Sequence, residues 1–145
     1  MSRKRAAIHE ASHSVIGRVL GFPCGPASIT SHGGGGAAVA PAHSLHWNST
    51  DTDIHASVMK KIIVCWAGGE AERIVFGGAD DAGDRRQIES LARRFYVSDE
   101  DIEAARTRAR QLVVSNWRKI ELVAAALSAR KSLSGSEIDD IMIFE

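Results

Sequence analysis

Residues 6–17 read AAIHEASHSVIG. Ala6, His9, His13, Ile16 and Leu20 recur at intervals of three and four, which predicts an amphipathic helix over residues 3–20 with both histidines on its inward face. Two imidazoles four residues apart on a helix stand one turn from each other, close enough to reach a single metal ion. Unsatisfied polar groups on a buried face cost about 1–3 kcal/mol each, and zinc would satisfy both rings at once. Zinc is a Lewis acid that acidifies a water, and a carboxylate that does not bind the metal can take the proton as that water attacks a carbonyl. Glu10, next to the first histidine, is the candidate for that general base.

A catalytic zinc of this type takes a third protein ligand and keeps one position open. The residues alone leave several candidates: Glu70 and Glu72 in AGGEAERIVFGG, the aspartates Asp80, Asp81 and Asp84 in GADDAGDRRQ, and His43, His46 and His55. Asp84 has a structural reading of equal weight, as a helix N-cap with Gln87 completing a capping box three residues later.

Outward from this helix, GFPCGP breaks the pattern, and residues 27–31 and 37–41 flank Gly33-Gly34-Gly35-Gly36 as two short extended segments of a hairpin. The stretch AHSLHWNSTDTD has no periodicity and reads as a surface loop. Val58, Ile62, Trp66 and Gly69 then repeat at helical spacing over residues 53–76, a helix that ends at Gly77-Gly78. DDAGDRRQIESLARRFYV predicts a third helix with Ile88, Leu91, Ala92 and Phe95 on one face. Ser98 and Asp101 cap a long charged helix that runs to about Arg130 and bends near Asn116, and Ser134 with Glu137 caps a short one through Ile141. The fold expected is mainly helical with one small β-hairpin, in a single domain over residues 1–145.

The totals exclude several classes. Eighteen basic residues balance eighteen acidic ones, so no overall field favours nucleic acid or an anionic membrane. Cys24 and Cys65 form no C-x-x-C pair, which points to a reducing, cytoplasmic setting rather than a disulfide framework. No apolar run reaches the roughly 20 residues of a membrane span, and the basic N-terminus meets Glu10 and two histidines before a signal-peptide core can form. The glycine run lacks the Gly-Lys-Ser/Thr ending of a phosphate-binding loop.

Four segments, in order, resemble the peptidase domain of the FtsH family of zinc metalloproteases. AAIHEASHSVIG resembles the family's opening helix with its zinc-binding pair, and AGGEAERIVFGG its Gly-Gly helix ending in Val-Phe-Gly. AGDRRQIESLARRF resembles the segment whose aspartate is the third zinc ligand, with Ala92, Arg93 and Arg94 at the family's offset. NWRKIELVAAALSARKSLSGSEI resembles the last helix and its Leu-x-Gly-x-Glu-Ile ending.

The resemblance implies a helical, zincin-like peptidase domain that binds zinc through His9, His13 and Asp84 and uses Glu10 as general base; Glu70 and Glu72 become structural. It also implies that the glycine-rich hairpin offers a strand edge to an extended substrate, with Gly35, Gly36, Ala37, Ala38 and Val39 as the candidate binding residues. Ser12 stands where the family usually has glycine, adding a hydroxyl near the site. His9 lies so near the start that neither the family's ATPase module nor a membrane anchor is expected before it. The expected substrates are therefore peptides or unfolded protein segments, with a separate ATPase as a candidate partner and oligomeric state left open. The alternative is a zinc-binding interaction module, impaired in catalysis, that acts as adaptor or regulator of a full-length homologue.

Overall fold

A computed structural model of the chain describes residues 2–30 and 51–143. Its elements are α1 (Arg3–Val19), β1 (Ala27–Ser28), α2 (Asp51–Phe76), α3 (Ala82–Phe95), α4 (Asp99–Ser115), α5 (Trp117–Arg130), β2 (Ser132–Leu133) and α6 (Gly135–Ile143). Among the described residues the protein is mainly helical with one small antiparallel sheet. No helix among the described residues is long and apolar enough to cross a membrane.

The first helix begins where Ser2 accepts a hydrogen bond from the Arg5 amide at 3.1 Å, and ends at Gly21, whose φ of +95° suits a residue without Cβ. Every residue from Ala6 to Gly17 is buried, so α1 is a central helix rather than the one-faced helix its apolar stripe predicts. The reason is packing on two sides, by α2 and by α5. Small residues such as Ala7, Ala11, Ser12, Ser14 and Gly17 let both neighbours approach.

Helix α2 is the other central element. Val58, Ile62, Cys65 and Trp66 pack with Ile88, Ala92, Val97, Ala105 and Ala109 of the α3–α4 side. Val64, Ala67 and Ala71 pack instead with Ala7, Ala11, Val15 and the buried residues of α5. The stripe read from the sequence is thus only one of the two that α2 buries. The long helix expected from Ser98 is interrupted at Asn116, whose side-chain amide donates to the Leu112 carbonyl at 2.8 Å and so closes α4. The Ser98 cap is formed, accepting from the Asp101 amide at 3.1 Å. In the Ser134–Glu137 capping box both bonds are present, at 2.9 and 3.1 Å.

The described sheet joins β1 to a segment far along the chain. Ala27 pairs with Leu133 and Ser28 with Ser132, more than 100 positions away in the chain, and the Ile29 amide donates to the Lys131 carbonyl at 2.8 Å. The partner is set by where α5 ends: Lys131 takes a left-handed conformation, φ +67°, that turns the chain back beside β1. The proposed second arm of the hairpin, the glycine run, and Gly35, Gly36, Ala37, Ala38 and Val39 lie outside the described residues.

Candidate metal centre

Arg5, His9 and His13 follow one another at four-residue steps on α1, and Val64, Gly68 and Glu72 do the same on α2. The two rows face each other in opposite directions. His13 Nδ1 donates to the Val64 carbonyl at 2.7 Å, and His9 Nδ1 is bonded to Glu72 Oε1. Arg5 Nε donates to the other Glu72 oxygen at 2.6 Å, which also accepts from the Asp80 amide at 3.2 Å. Glu72 has no solvent exposure, so these donors are what make its carboxylate tolerable there.

Both Nδ1 atoms are thereby committed as donors, and each ring presents a lone pair at Nε2. The two Nε2 atoms lie 3.0 Å apart, and Asp84 Oδ2 stands 2.9 Å from His9 Nε2 and 3.2 Å from His13 Nε2. Three electron-pair donors converging in this way require a cation or a proton between them. A tetrahedral zinc with bonds of about 2.0–2.1 Å sets its ligand atoms about 3.3 Å apart, close to all three separations. Two imidazole nitrogens and one carboxylate oxygen also suit zinc by ligand type. His9, His13 and Asp84 thus form a cluster able to hold a metal ion.

Space for that ion comes from Gly68. A Cβ at this position would fall 2.7 Å from both Nε2 atoms and 2.8 Å from His9 Cδ2, nearer than carbon can approach. Ser12 stays out of the way: its hydroxyl turns back along α1 and donates to the Ile8 carbonyl at 2.7 Å.

Burial disfavours a charged His9, yet its hydrogen bonds to Asp84 and Glu72 outweigh this and raise its pKa to about 10 in metal-free protein. Burial likewise opposes ionisation of Asp84, but the bonds from His13 and His9 hold its carboxyl well below the usual range. Glu10 is buried beside the pair, and burial pushes its carboxyl up against the pull of His13 and His9. Because folding raises the His9 pKa from 6.5 to about 10, its contribution is complete below pH 6.5 and lost as pH rises through 10. Chelator-treated protein is therefore expected to lose about 2 kcal/mol of stability between pH 6.5 and 8.5, measured by urea unfolding. Unchanged or increased stability over that window would contradict the proton-bridged site.

The other candidates are placed elsewhere. Glu70 pairs with Arg73 at 2.6 Å and Arg106 at 3.3 Å, Asp81 with Arg73 and Arg85, and Asp80 and His55 are exposed. His43 and His46 lie outside the described residues. Asp84 is not the N-cap of α3; that position belongs to Asp81, and Asp84 sits in the first turn. Both thiols are free and stay out of the cluster, with burial pushing Cys65 up to about 12. The sequence reading missed Gly68, Val64 and the hold of Glu72 on His9. The signal was present in the four-residue step from Gly68 to Glu72, matching that from His9 to His13.

No family model matches the chain. A curated protein does: the ATP-dependent zinc metalloprotease FtsH of Pelobacter propionicus, 24% identical over an alignment 187 positions long, gaps included, that covers 97% of this chain. The relationship to FtsH is a distant one. The chain spans 30% of that relative's length.

Proposed function

We propose that this chain is a zinc-dependent endopeptidase that hydrolyses peptide bonds in peptides or unfolded protein segments. The observation that carries the reading is the meeting of His9 Nε2, His13 Nε2 and Asp84 Oδ2 within 3.2 Å of one another, with both Nδ1 atoms already bonded behind them. The distant similarity to FtsH supports the same chemistry. When bound, zinc supplies a Lewis acid that acidifies a water and polarises the scissile carbonyl.

The residues divide the remaining work. His9, His13 and Asp84 are the ligands, while Glu72 and the Val64 carbonyl fix the tautomer and orientation of the rings. Glu10 accepts the proton of the attacking water and passes it to the leaving amine. Its burial favours that task by making the carboxylate more basic. Gly35 to Val39 are proposed to bind the substrate, and a separate ATPase is proposed as the partner that would supply unfolded chains.

Elemental analysis tests the metal first. About one zinc per chain is expected in the wild type, with Asp84→Ala, which removes a ligand rather than a group that orients one, losing it or binding it more than about a hundredfold more weakly. Wild-type protein should also cleave unfolded casein, and a chelator should stop it. Zinc retained at full affinity by Asp84→Ala would move the third ligand elsewhere, and a wild type that takes up no zinc would sink the protease reading.

A further inference from the structure

Asp84 lies in the first turn of α3, so the start of that helix against α2 sets where its carboxylate stands relative to the two histidines. An aspartate at an N-cap normally accepts a hydrogen bond from the second or third amide of its own helix. Asp81, the N-cap of α3, makes no such bond although it is buried. Its carboxylate turns to arginines instead: Oδ2 accepts from Arg73 Nη2 of α2 at 2.8 Å, and Oδ1 from Arg85 Nε at 3.0 Å.

The position beneath it is Gly69. A Cβ there would lie 3.0 Å from both Cβ and Cγ of Asp81 and nearer still to Oδ2, so the aspartate occupies the space of a missing side chain. Neighbouring glycines on α2 therefore serve different partners, Gly68 the two imidazoles and Gly69 the cap of α3. The contact extends further. Arg73 Nη1 also donates to Glu70 at 2.6 Å, and Glu70 accepts from Arg106 of α4 at 3.3 Å. The guanidinium groups of Arg85 and Arg106 lie 5.1 and 5.0 Å from the ring of buried Trp66, tying α3 and α4 to the same turn of α2.

We propose that Asp81 is a positioning residue for the metal site: clasped by Arg73 and Arg85 over Gly69, it fixes the start of α3 so that Asp84, one turn later, reaches His9 and His13. The role rests on the zinc reading above. It is a role in geometry, since Asp81 itself lies outside the ligand cluster.

Zinc affinity, measured by competition with a chromophoric chelator, tests it in wild type, Asp81→Ala, Asp81→Asn and the control Asp139→Ala, which removes a partner of Arg18 on α1. Asp81→Ala should weaken zinc about ten- to a hundredfold, as loss of a group that orients a ligand does. Asp81→Asn, whose amide oxygen can still accept from one arginine, should lose less, and the control should match wild type. Cobalt-loaded Asp81→Ala should show weaker visible absorption than cobalt-loaded wild type as the Asp84 carboxylate leaves the tetrahedral set, a change that general destabilisation does not produce. Wild-type affinity and spectrum in Asp81→Ala overturn the proposal; should that variant not fold, wild-type affinity in Asp81→Asn overturns it equally. Zinc bound by neither variant nor wild type would overturn the protease reading and this role with it.

Discussion

Replacing Gly68 with alanine should cost zinc binding by more than about a hundredfold while leaving the helix content of the protein intact, the largest effect on the metal site expected outside its ligands. The direction is opposite to what helix propensity alone would give. Alanine in a helix interior is more favourable than glycine by about 1 kcal/mol, so a Gly→Ala change in the middle of α2 would ordinarily stabilise. Here the added methyl would sit 2.7 Å from the Nε2 atoms of both His9 and His13. Neither ring can retreat freely, because each is held from behind, His9 by Glu72 and His13 by the Val64 carbonyl at 2.7 Å. Moving them breaks buried hydrogen bonds, and leaving them in place excludes the ion. Calorimetric titration with zinc, together with circular dichroism, separates loss of the site from loss of the fold. Wild-type affinity in Gly68→Ala would show that the metal does not lie between α1 and this face of α2.

What the sequence disclosed and what it hid follow from the range over which each feature is determined. The caps at Ser98 and Ser134 and the break at Asn116 depend on bonds within four residues, and all three were legible. The full burial of α1 was not, because Ala7, Ala11, Ser12 and Ser14 look neutral in a pattern of apolar and polar residues, and only the approach of both α2 and α5 buries them. The partner of β1 was equally hidden: nothing near Ala27 points to Leu133, and the pairing depends on the turn at Lys131. In the site, the four-residue spacing of His9 and His13 was visible on one helix. Asp84 was one of eight candidates by residue type, and only resemblance singled it out. Its meeting with the histidines depends on the clasp of Asp81 over Gly69, a contact between two helices that no local pattern encodes.

Glu10→Gln should lower turnover of unfolded casein by about a hundred- to ten-thousandfold, the span that general acid–base groups contribute, with zinc content unchanged. Glu10 lies next to His9 in the chain, but the metal-binding cluster consists of His9, His13 and Asp84 alone among the described residues. Glutamine has nearly the same shape as glutamate, so neither the ligand triangle nor the packing of buried α1 should change. What disappears is the proton acceptor. Burial raises the affinity of the Glu10 carboxylate for a proton, and an amide in the same place has none to offer at any working pH. The buried charge is removed as well, so the variant should melt no lower than wild type. Loss of turnover with zinc and melting temperature preserved therefore assigns the proton transfer to Glu10 rather than to a collapsed site. A variant as active as wild type would remove Glu10 from the chemistry. A wild type that binds zinc yet cleaves nothing would favour the interaction module, in which the same three ligands hold a metal that organises a surface instead of a reaction.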